Sequence, residues 1–247
     1  VQDSQDIRRV FAEGPGAALL RPPGPEHAWI ATARTEDWMP WRGQAGDLLS
    51  KAEYARVSAR RRVEDRLTLV LCYALHRLLL GAWLQVDPAD VPLARDQDGR
   101  PVLEDGSLYT SLSHTDGACA FALGTAGPVG VDIESLARLD ALDEIGDRIV
   151  HPTEVAALAG LDDDERRRAL LQLWVRKEAC LKATGTGLAT EMDTFAAAAG
   201  ARLRLPMHGS AEQMDLRVED MRLHSPHLAA WAAPAHMHGL EHLLVPG

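Results

Sequence analysis

Val129-Gly130-Val131-Asp132-Ile133-Glu134 alternates strictly between two kinds of side chain. In an extended strand successive side chains point to opposite faces. Val129, Val131 and Ile133 therefore share one face, and Gly130, Asp132 and Glu134 the other. The first face is wholly apolar and reads as core. The second ends in two carboxylates, and like-facing residues lie about 6.5–7 Å apart along a strand. Carboxylates at that spacing, converging at a strand end, can share a cation about 2.1 Å from an oxygen of each, the geometry of Mg2+. Gly130 leaves space for a ligand to approach the strand. Two solvated acids at an exposed strand end fit the same segment equally well.

Upstream of this strand, 108–111 and 118–123 read as strands around a loop at 113–117, and 124–128 as a turn. Further back, 27–33 reads as a first strand after the loop Arg21-Pro22-Pro23-Gly24-Pro25. Residues 48–84 are helical in pattern, with Ser50 as N-cap and Glu53 completing a capping box. The stretch 67–84 is apolar on most sides and predicts a helix central to the core.

Downstream, 152–184 is helical, punctuated near 160–164 and stopped by Gly185. Its order of acidic then basic residues over 162–168 suits a helix start. Strands are expected at 194–199, 216–223 and 228–233, the last two as a hairpin around Ser225-Pro226. The plan is α+β, in two similar halves of residues 1–125 and 126–247, each a small, mainly antiparallel sheet with helices.

Within the later helix, Leu171, Trp174, Glu178 and Lys182 share one face. Glu178 and Lys182 form an i,i+4 pair in the favourable order. One reading is a surface ion pair worth a few tenths of a kcal/mol. The other starts from the neighbours Trp174, Ala179 and Leu181, which make the face partly buried. Buried charge is costly unless it is paired or metal-bound. A carboxylate that holds a metal and a lysine that neutralises phosphate are the parts of a phosphoryl-transfer site. Gly185-x-Gly187 reads as a left-handed helix cap.

Bulk properties bound the function. The chain of 247 residues has 46% hydrophobic and 25% charged residues, ordinary for a globular protein. No apolar run of about 18 residues predicts a membrane span, and residues 1–9 lack an apolar signal core. Cys72, Cys119 and Cys180 sit in apolar-periodic stretches and read as reduced, buried thiols. A cytoplasmic protein is expected. The net charge of −10 argues against a general nucleic-acid binder. Two local basic clusters stand out, Arg60-Arg61-Arg62 with Arg66, and Arg166-Arg167-Arg168.

Four segments together resemble one family. They are Gly99-Arg100-Pro101, Ser111-Leu112-Ser113-His114, Gly130-Val131-Asp132-Ile133-Glu134, and Trp174-x-x-Lys177-Glu178-Ala179-x-x-Lys182 followed by Gly185-x-Gly187-Leu188. In order and spacing they are similar to the 4′-phosphopantetheinyl transferases of the long, surfactin-synthetase-activating type. The resemblance implies a monomer of two α+β halves related by a pseudo-twofold axis, with coenzyme A in the cleft between them. It implies transfer of the phosphopantetheine arm to a serine of an apo carrier protein, with release of adenosine 3′,5′-bisphosphate.

Carried onto this chain, the resemblance makes Asp132, Glu134 and Glu178 ligands of Mg2+. Glu178 helps to deprotonate the serine, and Lys182 stabilises the leaving phosphate. Ser113, His114, Lys177 and Lys182 contact coenzyme A. Arg100, where the family usually has lysine, lines the adenine pocket with Pro101. Arg66, with Lys51 and Arg56, serves the ribose 3′-phosphate. No nucleic acid or membrane partner is implied. Two other readings remain, a non-catalytic coenzyme A or nucleotide-binding module and a metal-dependent phosphohydrolase. The Arg100 and His114 segments disfavour the second of these, and retention of all three carboxylates with Lys182 the first.

Other residues carry a blander reading. His236, His238 and His242 match no ordinary structural zinc spacing. Trp38, Trp41 and His76 read as packing.

Overall fold

The computed structural model describes residues 6–19, 24–142, 145–223 and 226–247. The loop expected at 21–25 and the turn expected at Ser225 fall largely outside these residues. The chain runs α1 (Ile7–Glu13), β1 (His27–Arg34), α2 (Lys51–Ser58), α3 (Val63–Leu84), β2 (Leu93–Arg95), β3 (Pro101–Leu103), β4 (Tyr109–Thr115), β5 (Ala118–Gly124) and β6 (Gly130–Ser135). It continues through α4 (Asp163–Thr184), β7 (Arg202–Pro206), β8 (Gln213–Asp220), β9 (His227–Pro234) and β10 (His238–Leu243), with short helical turns between.

The α+β reading holds, and the two halves share one plan. A strand leads to a 22-residue helix and then an antiparallel hairpin, as β1–α3–β4–β5 and again as β6–α4–β8–β9. In each, the first strand pairs antiparallel with the last, giving the orders β1-β5-β4 and β6-β9-β8. The second sheet is extended by β7. The first is extended by β10, which returns from the end of the chain to lie parallel to β1, with Thr32 opposite Leu243.

Strand alternation sorts the core into layers. Trp29, Ala31, Phe121 and Leu123 meet Leu71, Leu75 and Leu78 of α3. The opposite face of the same sheet, with Ala28, Ile30, Ala120 and Ala122, meets Val131, Ile133, Ala229 and Trp231 of the second sheet. Ala230, Ala232, Leu216 and Val218 then face α4. Helix, sheet, sheet and helix are stacked in that order, and the small alanines let the sheets approach. α3 is apolar enough by length and composition to cross a membrane, yet 67% of its most apolar window is buried here. It is the central core helix that its pattern predicts. Its capped neighbour α2 has both bonds of the Ser50–Glu53 box.

Three local expectations change. Residues 113–115 are not loop, because β4 runs through Thr115 and only Asp116-Gly117 turns, with Gly117 at φ +77°. A two-residue Asp-Gly turn suits a tight hairpin. Residues 194–199 form no strand. The Ala197 N–H donates to a Glu154 carboxylate oxygen at 2.7 Å rather than to a ladder, and the strand of this region, β7, begins at Arg202. β2, β3, β7 and β10 were not anticipated.

Candidate active site

The acid face of β6 looks onto α4. A Cβ placed on Gly130 would stand 1.9 Å from the Ala179 carbonyl oxygen and 2.6 Å from the Ala183 nitrogen. The space that Gly130 provides is therefore filled by helix backbone, not by a ligand. One repeat along the strand, Asp132 meets the helix at Lys182, whose Nζ lies 2.6 Å from Asp132 Oδ1 and 3.1 Å from the Val131 carbonyl. One repeat further, Glu134 receives Arg138 Nη1 on both oxygens, at 2.8 and 2.9 Å.

The edge strand of the first sheet, β4, lies along β6, the edge strand of the second. Ser113 Oγ donates to Asp132 Oδ1 at 2.7 Å, and Thr115 Oγ1 donates to Glu134 Oε2 at 3.2 Å. Ser111 Oγ accepts the Val131 N–H at 3.2 Å. The alternate residues 111, 113 and 115 thus all face β6.

Electrostatics tie Glu178 to this pair. Burial, then repulsion from Asp132 and Glu134, pushes its carboxyl up to about 7 against the pull of Lys182. Burial and Asp132 also raise Glu134, opposed by Arg138 and Thr115. Asp132 Oδ2 is buried without a partner. Three mutually repelling carboxylates with an orphaned oxygen suit a hard divalent cation. They are not gathered as a ready-made cluster: among the described residues no group of three His, Cys, Asp or Glu side chains is placed to hold a metal. Lys182 pairs with Asp132 and Arg138 with Glu134 instead.

His114, on the other face of β4, sits among cations. Burial first, then Arg60, Lys182 and Arg95, lowers its tendency to protonate, with Asp132 acting in the opposite sense. Such surroundings favour an anion.

Lys182 also lines a cavity of about 520 Å³ with Arg95, Arg100, Pro101, Ser111 and Leu112. That size is within the range of small-molecule sites. Arg100 enters from the β2–β3 turn, held by Asp96 at 2.7 Å from its Nε. Its guanidinium rests on the end of α4, where a Cβ at Gly185 would fall 1.4 Å from Nη1. Gly185 is the left-handed cap expected, at φ +75°, and it also provides this contact.

The remaining expectations divide. Arg56, exposed on α2, borders an adjoining cavity of about 390 Å³ together with Arg95. Lys51 is exposed and Arg66 half-buried on the first turns of their helices, and neither lines these two cavities. Lys177 is corrected. Its amine is fully buried and donates to the Ile149 carbonyl at 2.6 Å, Glu154 at 2.7 Å and the Met192 carbonyl at 2.8 Å. An ammonium has three donors, so none remains for coenzyme A.

The sequence reading missed Arg95, Thr115 and Arg138, and saw Arg60 only as part of a basic cluster. Taking Asp116-Gly117 as the whole turn would have put the hydroxyls of 111, 113 and 115 on one face. Nothing local marks Arg95, which the β2–β3 hairpin brings to the cavity. It lies 5.1 Å over the Tyr73 ring and donates to the Gly99 carbonyl at 2.7 Å.

Comparisons with known proteins agree with the resemblance read from the motifs. Residues 128–230 match the family described as the 4′-phosphopantetheinyl transferase superfamily. The chain is 29% identical over 183 residues to the 4′-phosphopantetheinyl transferase HetI of Nostoc sp., covering 66% of this chain and 77% of that protein. It is 30% identical over 135 residues to the 4′-phosphopantetheinyl transferase Sfp of Bacillus subtilis, covering 53% of this chain and 58% of that protein. A third relative, the 4′-phosphopantetheinyl transferase psf-1 of Bacillus pumilus, is 32% identical over 116 residues, 45% of this chain and 48% of the relative. The chain thus spans roughly half the length of the last two and three quarters of the first.

Proposed function

We infer that this chain is a 4′-phosphopantetheinyl transferase, moving the phosphopantetheine arm of coenzyme A onto a serine hydroxyl of an apo carrier protein. The observation that carries the reading is the Lys182–Asp132 ion pair, coupled electrostatically to Glu178, at the wall of a cavity lined by Lys182, Arg100 and Pro101. The named relatives support it.

Asp132, Glu134 and Glu178 would hold Mg2+, which when bound neutralises and orients the diphosphate. Everything else is done by side chains. Glu178, on the same helix as Lys182, takes the serine proton. The serine oxygen attacks the phosphorus that bears the pantetheine arm. A new P–O bond forms, and the bond to the adenosine-side phosphate breaks. Adenosine 3′,5′-bisphosphate leaves, its new charge met by Lys182 at the cavity wall.

Arg100 and Pro101 take the adenine end. Arg56 and Arg95, which border the adjoining cavity, would serve the ribose 3′-phosphate, with Lys51 and Arg66 on the neighbouring helix turns. Residues 1–125 supply most of these contacts, and 126–247 the acid cluster and Lys182. We take the working unit to be a monomer, as the resemblance implies. Of the cluster Arg60–Arg62, the charge of Arg60 reaches His114, and this cluster suits an acidic carrier.

The reading separates from a phosphohydrolase by its need for an acceptor. With coenzyme A and Mg2+, adenosine 3′,5′-bisphosphate is expected only when an apo carrier is added, followed by chromatography. Release at the same rate without a carrier would instead establish hydrolysis.

A further inference from the structure

The acid pair on β6 is held from outside its own sheet. β4 and β6 are edge strands of different sheets and share no main-chain ladder. Side-chain hydroxyls take over that seam. Ser111 Oγ accepts the Val131 N–H, and Thr115 Oγ1 accepts the Ser135 N–H at 3.3 Å. Ser111 serves backbone alone among these bonds. Thr115 does more, since its single proton goes to Glu134 Oε2.

Among the described residues Glu134 has one other partner, Arg138, whose side chain is 56% exposed, whereas that of Glu134 is 13% exposed. An exposed ion pair fixes little. Thr115 is held through its own hairpin. It is β-branched, so its χ1 is restricted. It pairs with Ala118 across the Asp116-Gly117 turn. That turn is in turn held from β9, where His227 Nε2 lies 2.7 Å from the Asp116 carbonyl oxygen.

We propose that Thr115 is a positioning residue for Glu134: from the first half of the chain it sets where the second carboxylate of a divalent-cation site in the other half stands. The proposal rests on the cation reading of Asp132, Glu134 and Glu178 given above. It makes that site a joint product of both sheets, so a change of the β4–β6 seam at Thr115 alters cation binding without touching a ligand.

The test uses Mn2+ alone as probe, titrated into the intact protein and followed by electron paramagnetic resonance. Thr115→Val keeps the side-chain shape and removes the hydroxyl. It is expected to weaken Mn2+ binding by about tenfold, the lower end of what loss of a partner behind a metal ligand costs. Thr115→Ser is expected to restore wild-type affinity. Ser111→Ala, which removes only a backbone partner, is expected to lower the melting temperature and leave Mn2+ affinity unchanged. Should Thr115→Val fail to fold, Thr115→Ala replaces it. Equal Mn2+ affinity of wild type and the variant lacking the hydroxyl would overturn the proposal. So would an equal loss in Ser111→Ala, which would mean general loosening of the seam. No Mn2+ binding by wild type would instead overturn the cation reading itself.

Discussion

Arg100 and Gly185 touch across the two halves, with the guanidinium lying where a side chain at 185 would have to be. The contact joins the β2–β3 turn to the end of α4 and closes one side of the large cavity. It gives the glycine two duties. The left-handed φ of +75° alone costs an L-residue about 1–2 kcal/mol.

Gly185→Ala should therefore cost that strain and also displace Arg100. The expected result is a lower urea midpoint together with a KM for coenzyme A raised several-fold. Gly187 is the control, because it too has a positive φ, of +49°, but nothing within 4 Å of an added Cβ. Gly187→Ala should lose stability alone. An unchanged KM in Gly185→Ala would show that the Arg100 contact does not shape the cavity.

Lys177 is an anchor and not a ligand, and Lys177→Met should separate the two. Glu154, half-buried, would be left without its cation, and the Ile149 and Met192 carbonyls without their donor. Breaking a buried pair from one side costs about 3–5 kcal/mol. Denaturant unfolding should show that loss, while the fraction that remains folded should bind coenzyme A as wild type does. Lys182→Met also leaves a buried acid, Asp132, without its cation, so activity is what separates the two: it should show a collapse of kcat in the folded protein, since the Lys182 side chain is 28% exposed and lines the cavity.

How far the sequence foretold this arrangement depended on whether the information was local. The alternation of β6 and the face shared by Glu178 and Lys182 follow from backbone periods, and both stand. So does α3, whose apolar pattern needs only its own residues. What Gly130 and Gly185 are for could not be read from either segment. Each makes room for a group distant in sequence, the α4 backbone in one case and Arg100 in the other. Lys177 and Lys182 fall in one motif and look alike as charges. Five residues along a helix turn them to different sides, one into the core against Glu154 and the other to the cavity. β10 escaped notice because its residues are mostly exposed and its partner β1 lies at the far end of the chain.

Stability should fall in mild acid through His76. Its ring is fully buried, with Nε2 2.7 Å from Thr110 Oγ1, and burial first, then Arg95 and Arg77, lowers it from 6.5 to about 3. Between those values the unfolded chain binds a proton that the folded one refuses. The contribution is fully present above pH 6.5 and is lost as pH falls toward 3. His76→Gln should flatten that part of the stability curve, measured by denaturant midpoints at several pH values. An equal slope in wild type and variant would place the acid sensitivity elsewhere.

The central claim is that Glu178, with Asp132, Glu134 and Lys182, transfers a phosphopantetheine arm to a carrier. Its most direct measurement is the intact mass of an apo carrier protein after incubation with coenzyme A, Mg2+ and this chain. The account expects a gain of one phosphopantetheine arm with wild type, and none with a folded Glu178→Gln variant over the same time. Carriers of several kinds that keep their mass with wild type, or a Glu178→Gln variant that modifies them at the wild-type rate, would contradict it.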